Sequence, residues 1–158
     1  ALQESAGQMS AKMRAVRIVA AGSVSEGDLE ARLRHKGEKP EDAREAVQWM
    51  RELSLVDDLT TAKQLVRRGV AKGYGINRLR QMLYEKRIPK ELWDEALEDI
   101  PEPDEDIMTF LRQRLGDSWD SKEQKRAVDA LLRRGHLWGD IRRCLSRLGA
   151  SVDQEPEE

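Results

Sequence analysis

Residues 76–97, INRLRQMLYEKRIPKELWDEAL, decide the fold because their apolar positions recur elsewhere in the chain. At a shift of fifty residues, eight positions match: Leu29, Leu33, Lys36, Glu41, Glu45, Ala46, Val47 and Met50 meet Leu79, Leu83, Lys86, Glu91, Glu95, Ala96, Leu97 and Ile100. At a shift of 98 residues, Leu33, Gly37, Ala43, Val47 and Met50 meet Leu131, Gly135, Ile141, Leu145 and Leu148. Matching apolar positions predict matching buried faces, so the chain is expected to consist of tandem repeats.

The apolar residues follow helical spacing almost throughout, and no stretch alternates with period two for long. Helix starts are predicted by Ser25 as an N-cap, by prolines in first turns (Pro40, Pro89 and Pro103), and by capping-box spacing from Ser121 to Gln124. Helix ends are predicted at Gly37, Gly73, Gly116, Gly135 and Gly149. The pattern predicts no strand and helices near 12–21, 25–35, 40–53, 58–72, 76–86, 89–99, 104–115, 121–134 and 138–148.

These helices predict an all-α fold of three tandem three-helix repeats, stacked into an elongated, curved molecule. Each repeat is too small to bury much surface alone, and for this reason neighbouring repeats are expected to stack. The predicted organisation is an N-terminal extension (1–11), repeat 1 (12–56), repeat 2 (57–101), repeat 3 (102–149) and an acidic C-terminal tail (150–158).

The composition narrows the class of protein. The chain has 158 residues, of which 37% are charged and 39% hydrophobic, which suits thin helical layers with wide exposed faces. The only cysteine, Cys144, cannot form an intramolecular disulfide, which favours a reducing compartment. No apolar run approaches the roughly 20 residues that cross a bilayer. We therefore expect a cytoplasmic protein with no membrane partner.

The net charge of −2 conceals a strong segregation of charge along the chain. Between Lys63 and Lys90 there are nine cations and the single acid Glu85. From Lys122 to Arg147 there are eight cations and three acids. The acids concentrate in EDIPEPDED (98–106) and in the tail. Segregation of this kind creates a local field that attracts a charged partner.

The stretch RRGVAKGYG (67–75) combines cations and glycines, as phosphate-binding loops do. A Walker loop is excluded because Lys72 precedes its glycine, no Ser or Thr follows, and no strand is predicted. A dinucleotide loop is excluded because Arg78 occupies the position of the third glycine. A helix end explains Gly73 and Gly75. The cations are compatible with either a solvated face or an anion-binding face.

No catalytic, metal or cofactor site is predicted. His35 and His136 have no second ligand at metal-binding spacing. Cys144 shares the core phase of the repeats and is expected to be an inert, buried thiol. Trp93 is expected to pack in the core, and Trp119 and Trp138 remain candidates for contact with a partner.

The stretch LSLVDDLTTAKQLVRRGVAKGYGINRLRQMLYEKRIPKELWDEAL (53–97) resembles the second repeat of RecX, a bacterial regulator of the RecA recombinase. The likeness lies in Leu-Val-Asp-Asp (55–58), Lys-Gly-Tyr-Gly (72–75) and the leucines with a basic pair at 79–87. Residues 25–37 are similar to the first RecX repeat, and LLRRGHLWGDIRRCL (131–145) is similar to the third.

The resemblance implies a regulator without catalytic residues that binds the RecA filament on single-stranded DNA and inhibits it. The candidate residues for this contact are Arg67, Arg68, Lys72, Arg78, Arg80, Lys86, Arg87, Arg133, Arg134, Arg142 and Arg143. We expect a monomer whose partners are RecA and single-stranded DNA, reached directly or through the filament. The alternatives are a free-standing helical DNA-binding module and a helical-repeat adapter without a recombinase partner.

Overall fold

The computed structural model describes residues 4–117 and 119–149, and these residues contain helices and no strand. In chain order the helices are α1 (Ala6–Ala21), α2 (Glu26–His35), α3 (Pro40–Glu52), α4 (Asp58–Ala71), α5 (Ile76–Glu85), α6 (Trp93–Leu97), α7 (Asp104–Leu115), α8 (Ser121–Arg133) and α9 (Trp138–Arg147). A 3-10 turn, Lys90–Leu92, precedes α6. The predicted all-α class is confirmed, and the described helices follow as three successive sets of three.

The first helix begins earlier than predicted. Helix α1 starts at Ala6 because Ser5 and Gln8 form a capping box, with Gln8 N donating to Ser5 Oγ (3.1 Å) and Ser5 N donating to Gln8 Oε1 (2.8 Å). Ala11, predicted to lie in an extension, is fully buried. The predicted start at residue 12 is therefore wrong. The predicted acidic tail (150–158) lies outside the described residues.

Two other local predictions are corrected. The N-cap of α8 is Asp120, whose side chain accepts from Lys122 N (3.2 Å), and Ser121 is the first helical residue. The helix predicted at 89–99 is a 3-10 turn followed by the short helix α6. The remaining helix bounds agree with the predictions within a residue, because their caps are local sequence features.

The chain forms two compact units, one within Ala1–Leu65 and Met82–Glu98, the other within Val66–Gln81 and Asp99–Glu158. Helices α4 and α5 contribute residues to both units. We call the first of these compact units unit 1 and the second unit 2. The predicted repeat boundaries stay predictions, because this division follows contacts and not the sequence repeat.

The core of unit 1 lies between α1, α2 and α3. Its buried residues are Ala11, Ala15, Val24, Leu29, Leu33, Ala43, Ala46, Val47, Met50 and Val56. The alanines of α1 and α3 permit close helix packing. Trp49 packs against this core, and Lys12 Nζ lies 5.1 Å from its ring centroid. The leucines predicted from the repeat are therefore core residues.

A second contact in unit 1 joins the start of α2 to the turn after α5. Ser25 is the predicted N-cap, since Asp28 N donates to its Oγ (3.0 Å), and the same hydroxyl donates to the Lys86 carbonyl (2.6 Å). Arg87, at φ 56°, pairs with Asp28 (2.6 Å). The turn at Lys86 and Arg87 thus has a structural role in this unit.

The core of unit 2 lies between α7, α8 and α9. Its buried residues are Ile107, Leu111, Leu115, Ala127, Val128, Leu131, Ile141, Cys144 and Leu145. Cys144 is fully buried, as predicted, and burial raises the pKa of its thiol. A thiol in this state is a poor nucleophile. None of the described helices has the length and apolar character needed to span a bilayer.

Candidate anion-binding surface

Two turns of unit 2 are locked together by backbone hydrogen bonds. Gly75 N donates to the Arg134 carbonyl (2.8 Å), and Asn77 N donates to the Gly135 carbonyl (3.0 Å). The buried His136 lies with Nε2 2.9 Å from the Gly73 carbonyl, a contact in which the ring nitrogen must donate. The turn between α4 and α5 is therefore fixed against the turn between α8 and α9.

Glycine is required where these two backbones meet. A Cβ on Gly75 would lie 2.5 Å from His136 N, and a Cβ on Gly135 would lie 2.3 Å from Arg78 N. Gly135 also has φ 93°, a left-handed conformation that disfavours other residues. The RRGVAKGYG stretch is thus a helix end, as predicted, and its second function is to let two turns touch.

Near these hydrogen-bonded turns, cations from two helix ends lie close to one aromatic ring. The Arg134 Cζ lies 4.8 Å from the ring centroid of Phe110, and the Arg114 Cζ lies 5.7 Å from it. Lys72 follows the end of α4 beside this cluster. We call the surface depression that these residues line the Phe110 groove; it encloses about 410 Å³ and is lined by Val70, Ala71, Lys72, Gly73, Asp106, Thr109, Phe110, Gln113, Arg114 and Arg134.

Phe110 and Arg114 were not predicted as site residues. Arg114 follows the only phenylalanine of the chain by four residues, a spacing that places two side chains on one helix face. This spacing was the available signal. The approach of Arg134 from α8 depends on tertiary packing.

Seven of the predicted cations are exposed in unit 2 and have no carboxylate at ion-pair distance within the described residues: Arg67, Arg68, Lys72, Arg80, Arg133, Arg134 and Arg142. Arg78, also in unit 2, is half-buried; its Cζ lies 5.2 Å from the Tyr74 ring centroid. Its Nη1 lies 3.5 Å from Gln81 Oε1. Lys86 is exposed in unit 1.

Two predicted cations are ion-paired with carboxylates of their own unit. Arg87 pairs with Asp28 in unit 1. Arg143 in unit 2 donates to Asp104 through Nε (3.0 Å) and Nη2 (2.5 Å), and to Asp140 through Nη2 (2.8 Å). These pairs, which the sequence analysis did not anticipate, reduce the charge that either guanidinium presents to a partner.

The Asp104 cluster also sets local pKa values. Hydrogen bonding from Arg143 lowers the pKa of Asp104, and the same hydrogen bond raises the pKa of Arg143. Arg147 pairs with Asp104 as well (2.8 Å). The carboxylate at the start of α7 therefore acts as a structural counter-ion for α9.

Trp93, Trp119 and Trp138 differ in burial and in their contacts. Trp93 is half-buried, and its Nε1 donates to the Ile88 carbonyl (3.0 Å); its predicted place in the core stays a prediction. Trp138 packs against the unit 2 core, and Trp119 is 38% exposed. The described residues contain no group of three or more His, Cys, Asp or Glu arranged to hold a metal ion.

The fold and this surface define a class of protein: in its described residues the chain consists of three-helix sets and presents exposed cations without a carboxylate partner. Comparison with known proteins narrows the class. Residues 57–97 match the family model described as RecX, second three-helix domain. Two proteins named regulatory protein RecX, from Vibrio campbellii and Vibrio vulnificus, are each 28% identical over 141 residues; each alignment covers 87% of this chain and 91% or 92% of the relative.

Solved structures agree with this result. The crystal structure of RecX from Lactobacillus salivarius superposes with a TM-score of 0.80 at 18% identity, covering 90% of this chain and 97% of that one. A second crystal structure of regulatory protein RecX gives a TM-score of 0.76 at 19% identity, covering 89% and 73%. As the resemblance predicted, the chain is similar to RecX proteins over most of its length, and the curated relatives it matches are named regulatory proteins.

Proposed function

We propose that this chain regulates the RecA recombinase by binding the RecA filament on single-stranded DNA and inhibiting its growth, ATP hydrolysis and strand exchange. The similarity to proteins named regulatory protein RecX supports a regulatory role. The observation that supports an anionic partner is the set of seven exposed cations in unit 2 that have no carboxylate at ion-pair distance among residues 4–117 and 119–149. The proposal implies a cytoplasmic protein, because the filament forms on cellular DNA.

The charge distribution supports a polyanionic partner. The carboxylates Asp104 and Asp140 are engaged by Arg143 and Arg147. The cations at the ends of α4 and α8 keep their charge for an external ligand. Neutralising phosphates with such cations releases condensed counterions, which drives association at low salt.

The mode of action is steric and electrostatic. The chain contacts recombinase and DNA backbone together and hinders addition of further RecA subunits. No bond is made or broken by the chain itself. In this mechanism a small amount of the protein affects many RecA subunits, because a filament grows from few ends.

RecA-catalysed ATP hydrolysis on single-stranded DNA tests the proposal. We expect the rate to fall when the chain is added far below the RecA concentration. An unchanged rate at every ratio would reject the proposed function.

A charge-reversal pair locates the contact. The triple variant Arg67→Glu, Arg68→Glu, Lys72→Glu is expected to lose filament binding while its circular dichroism remains helical. The control variant Arg32→Glu, Arg34→Glu, Lys36→Glu makes the same charge change on exposed residues of unit 1. We expect the control to inhibit as the wild type does. Equal loss in both variants would show a nonspecific charge effect.

A free-standing DNA-binding module is the alternative, and the aromatic ring beside Arg114 and Arg134 favours it. The two functions differ in one measurement. A RecA regulator binds the RecA filament more tightly than bare single-stranded DNA, whereas a free-standing module shows no such preference.

A further inference from the structure

The Phe110 groove combines two features that helix-end electrostatics alone does not require. Cations reach it from three elements: Lys72 after α4, Arg114 in the last turn of α7, and Arg134 after α8. Arg114 and Arg134 both lie over the ring of the half-buried Phe110. Held in this way, the guanidinium groups are ordered before any ligand arrives.

Helix-end electrostatics explains only part of the groove. Cations near helix C-termini complement the partial negative charge there, and Arg114 and Arg134 satisfy this rule. The rule does not require that both guanidinium groups share one aromatic ring. Arg134 also lies close to Gly73, since a Cβ added at Gly73 would be 3.1 Å from Arg134 Nη1. The Arg134 side chain therefore lies beside the end of α4.

The charge of the groove favours an anion. Lys72, Arg114 and Arg134 face one carboxylate in the lining, Asp106, and all four side chains are exposed. In the part of the chain that the structure describes, no carboxylate lies within ion-pair distance of the three cations. Thr109 and Gln113 add neutral hydrogen-bonding groups to the same wall.

We propose that the Phe110 groove binds a nucleotide of single-stranded DNA, with the base stacked on the platform of Phe110 and its guanidinium groups and the adjoining phosphates contacted by Lys72, Arg114 and Arg134. The carboxylates of an acidic peptide would bind the cations, but they have no planar ring that could stack on Phe110. Unpaired bases do, since they stack on aromatic rings and on guanidinium planes. A duplex keeps its bases stacked inside and cannot use the platform.

This inference deepens the proposed function, because it names the DNA-contacting part of the same surface. It is tested without RecA, by fluorescence anisotropy with a labelled oligodeoxythymidylate of about 15 nucleotides, the upper range for one binding module. Phe110→Leu keeps an apolar side chain against the core and removes the ring. Arg114→Ala removes one cation. Arg112→Ala is the matched control, with the same charge change on an exposed residue of α7 outside the groove.

We expect Phe110→Leu and Arg114→Ala to weaken oligonucleotide binding about ten-fold, as loss of a stacking contact does. Arg112→Ala is expected to bind within about two-fold of the wild type, because an exposed charge outside the site adds only a screened, long-range attraction. Phe110→Tyr, which keeps the ring, should bind as the wild type does. An abasic oligonucleotide of the same length should bind equally to wild type and Phe110→Leu, because it has no base to stack.

Several results would overturn the inference. One is equal affinity of Phe110→Leu, Arg114→Ala and Arg112→Ala for the oligonucleotide. Another is competition by a polyglutamate peptide as effective as that by unlabelled oligodeoxythymidylate, which would assign the groove to a protein ligand. If Phe110→Leu does not fold, the comparison of Arg114→Ala with Arg112→Ala decides. The ATPase assay separates this inference from the proposed function. If the wild type inhibits RecA but the groove variants bind DNA normally, the inference about the groove fails and the proposed function stands.

Discussion

At the scale of single residues, Gly135 shows how one position serves the fold and the surface together. Its backbone carbonyl accepts from Asn77 N, and its missing side chain leaves room for Arg78. The same residue ends α8 in a left-handed conformation. The repeat shift matched it to Gly37, which also has a positive φ but where an added Cβ would meet nothing within 4 Å. The two glycines therefore share a backbone conformation but differ in what surrounds them.

Gly135→Ala is expected to lower the free energy of unfolding by more than about 2 kcal/mol, because the added methyl group meets backbone atoms in a left-handed turn. The measurement is urea denaturation followed by circular dichroism. Gly139→Ala is the control, since a Cβ at Gly139 in α9 meets nothing within 4 Å. We expect the control to be as stable as the wild type or more so. Equal stability of both variants would contradict the close contact of the two turns.

At the scale of elements, the start of α7 is tied to α9 by charge. Asp104 binds Arg143 through two hydrogen bonds and pairs with Arg147. It also lies in the first turn of α7, where a carboxylate complements the helix dipole. The sequence analysis placed acids at this start but did not connect them to cations some 40 positions later, at separations of 39 and 43 residues.

The lowered pKa of Asp104 predicts a pH dependence of stability. Because its pKa in the folded protein lies below the ordinary value of 3.8, its contribution is present above pH 3.8 and is lost as the pH falls through the folded value. Asp104→Asn should therefore lower the melting temperature slightly at pH 7, and the difference from wild type should vanish at strongly acidic pH.

Asp106→Asn is the control for this pH dependence. Asp106 is exposed on the same helix and, among the described residues, has no cation at ion-pair distance. Because Asp106 also lies in the first turn of α7, Asp106→Asn loses only the helix-dipole contribution, and its melting temperature at pH 7 should fall less than that of Asp104→Asn. A difference between wild type and Asp104→Asn that stays constant down to pH 2 would contradict the ion-pair assignment.

At the scale of the whole molecule, the small net charge conceals an uneven distribution of the predicted cations between the two units. Unit 2 carries nine of the eleven predicted cations, and Lys86 and Arg87 lie in unit 1. Unit 1 engages Arg87 with Asp28 and Arg51 with Glu26. Binding of a polyanion should thus depend on unit 2 and weaken with salt.

The salt dependence provides the whole-molecule prediction. The logarithm of the binding constant for single-stranded DNA should fall linearly with the logarithm of salt concentration, with a slope of about −0.7 per phosphate neutralised. Reversing Arg67, Arg68 and Lys72 should make that slope shallower by up to about 2, since three phosphate contacts are lost. Reversal of Arg32, Arg34 and Lys36 should leave the slope unchanged. Equal slopes for all three proteins would contradict a DNA contact at the end of α4.

The helical class, the repeat and most helix bounds could be predicted from the sequence. Caps, prolines and left-handed glycines act on backbone groups within about four residues, so their effect can be read from a short window. Ser25, Pro40 and Gly73 were recognised for this reason. The start of α1 was missed because its capping box, from Ser5 to Gln8, lay outside the predicted helix.

Which of the described cations form ion pairs depends on the tertiary structure. Arg87 meets Asp28 across 59 positions and Arg143 meets Asp104 across 39, whereas Phe110 receives Arg114 from its own helix and Arg134 from another. Two charges form an ion pair only when they lie close together in space, because their attraction weakens with distance. A sequence pattern does not contain these distances. The charges could be counted from the sequence, but their partners were set by folding.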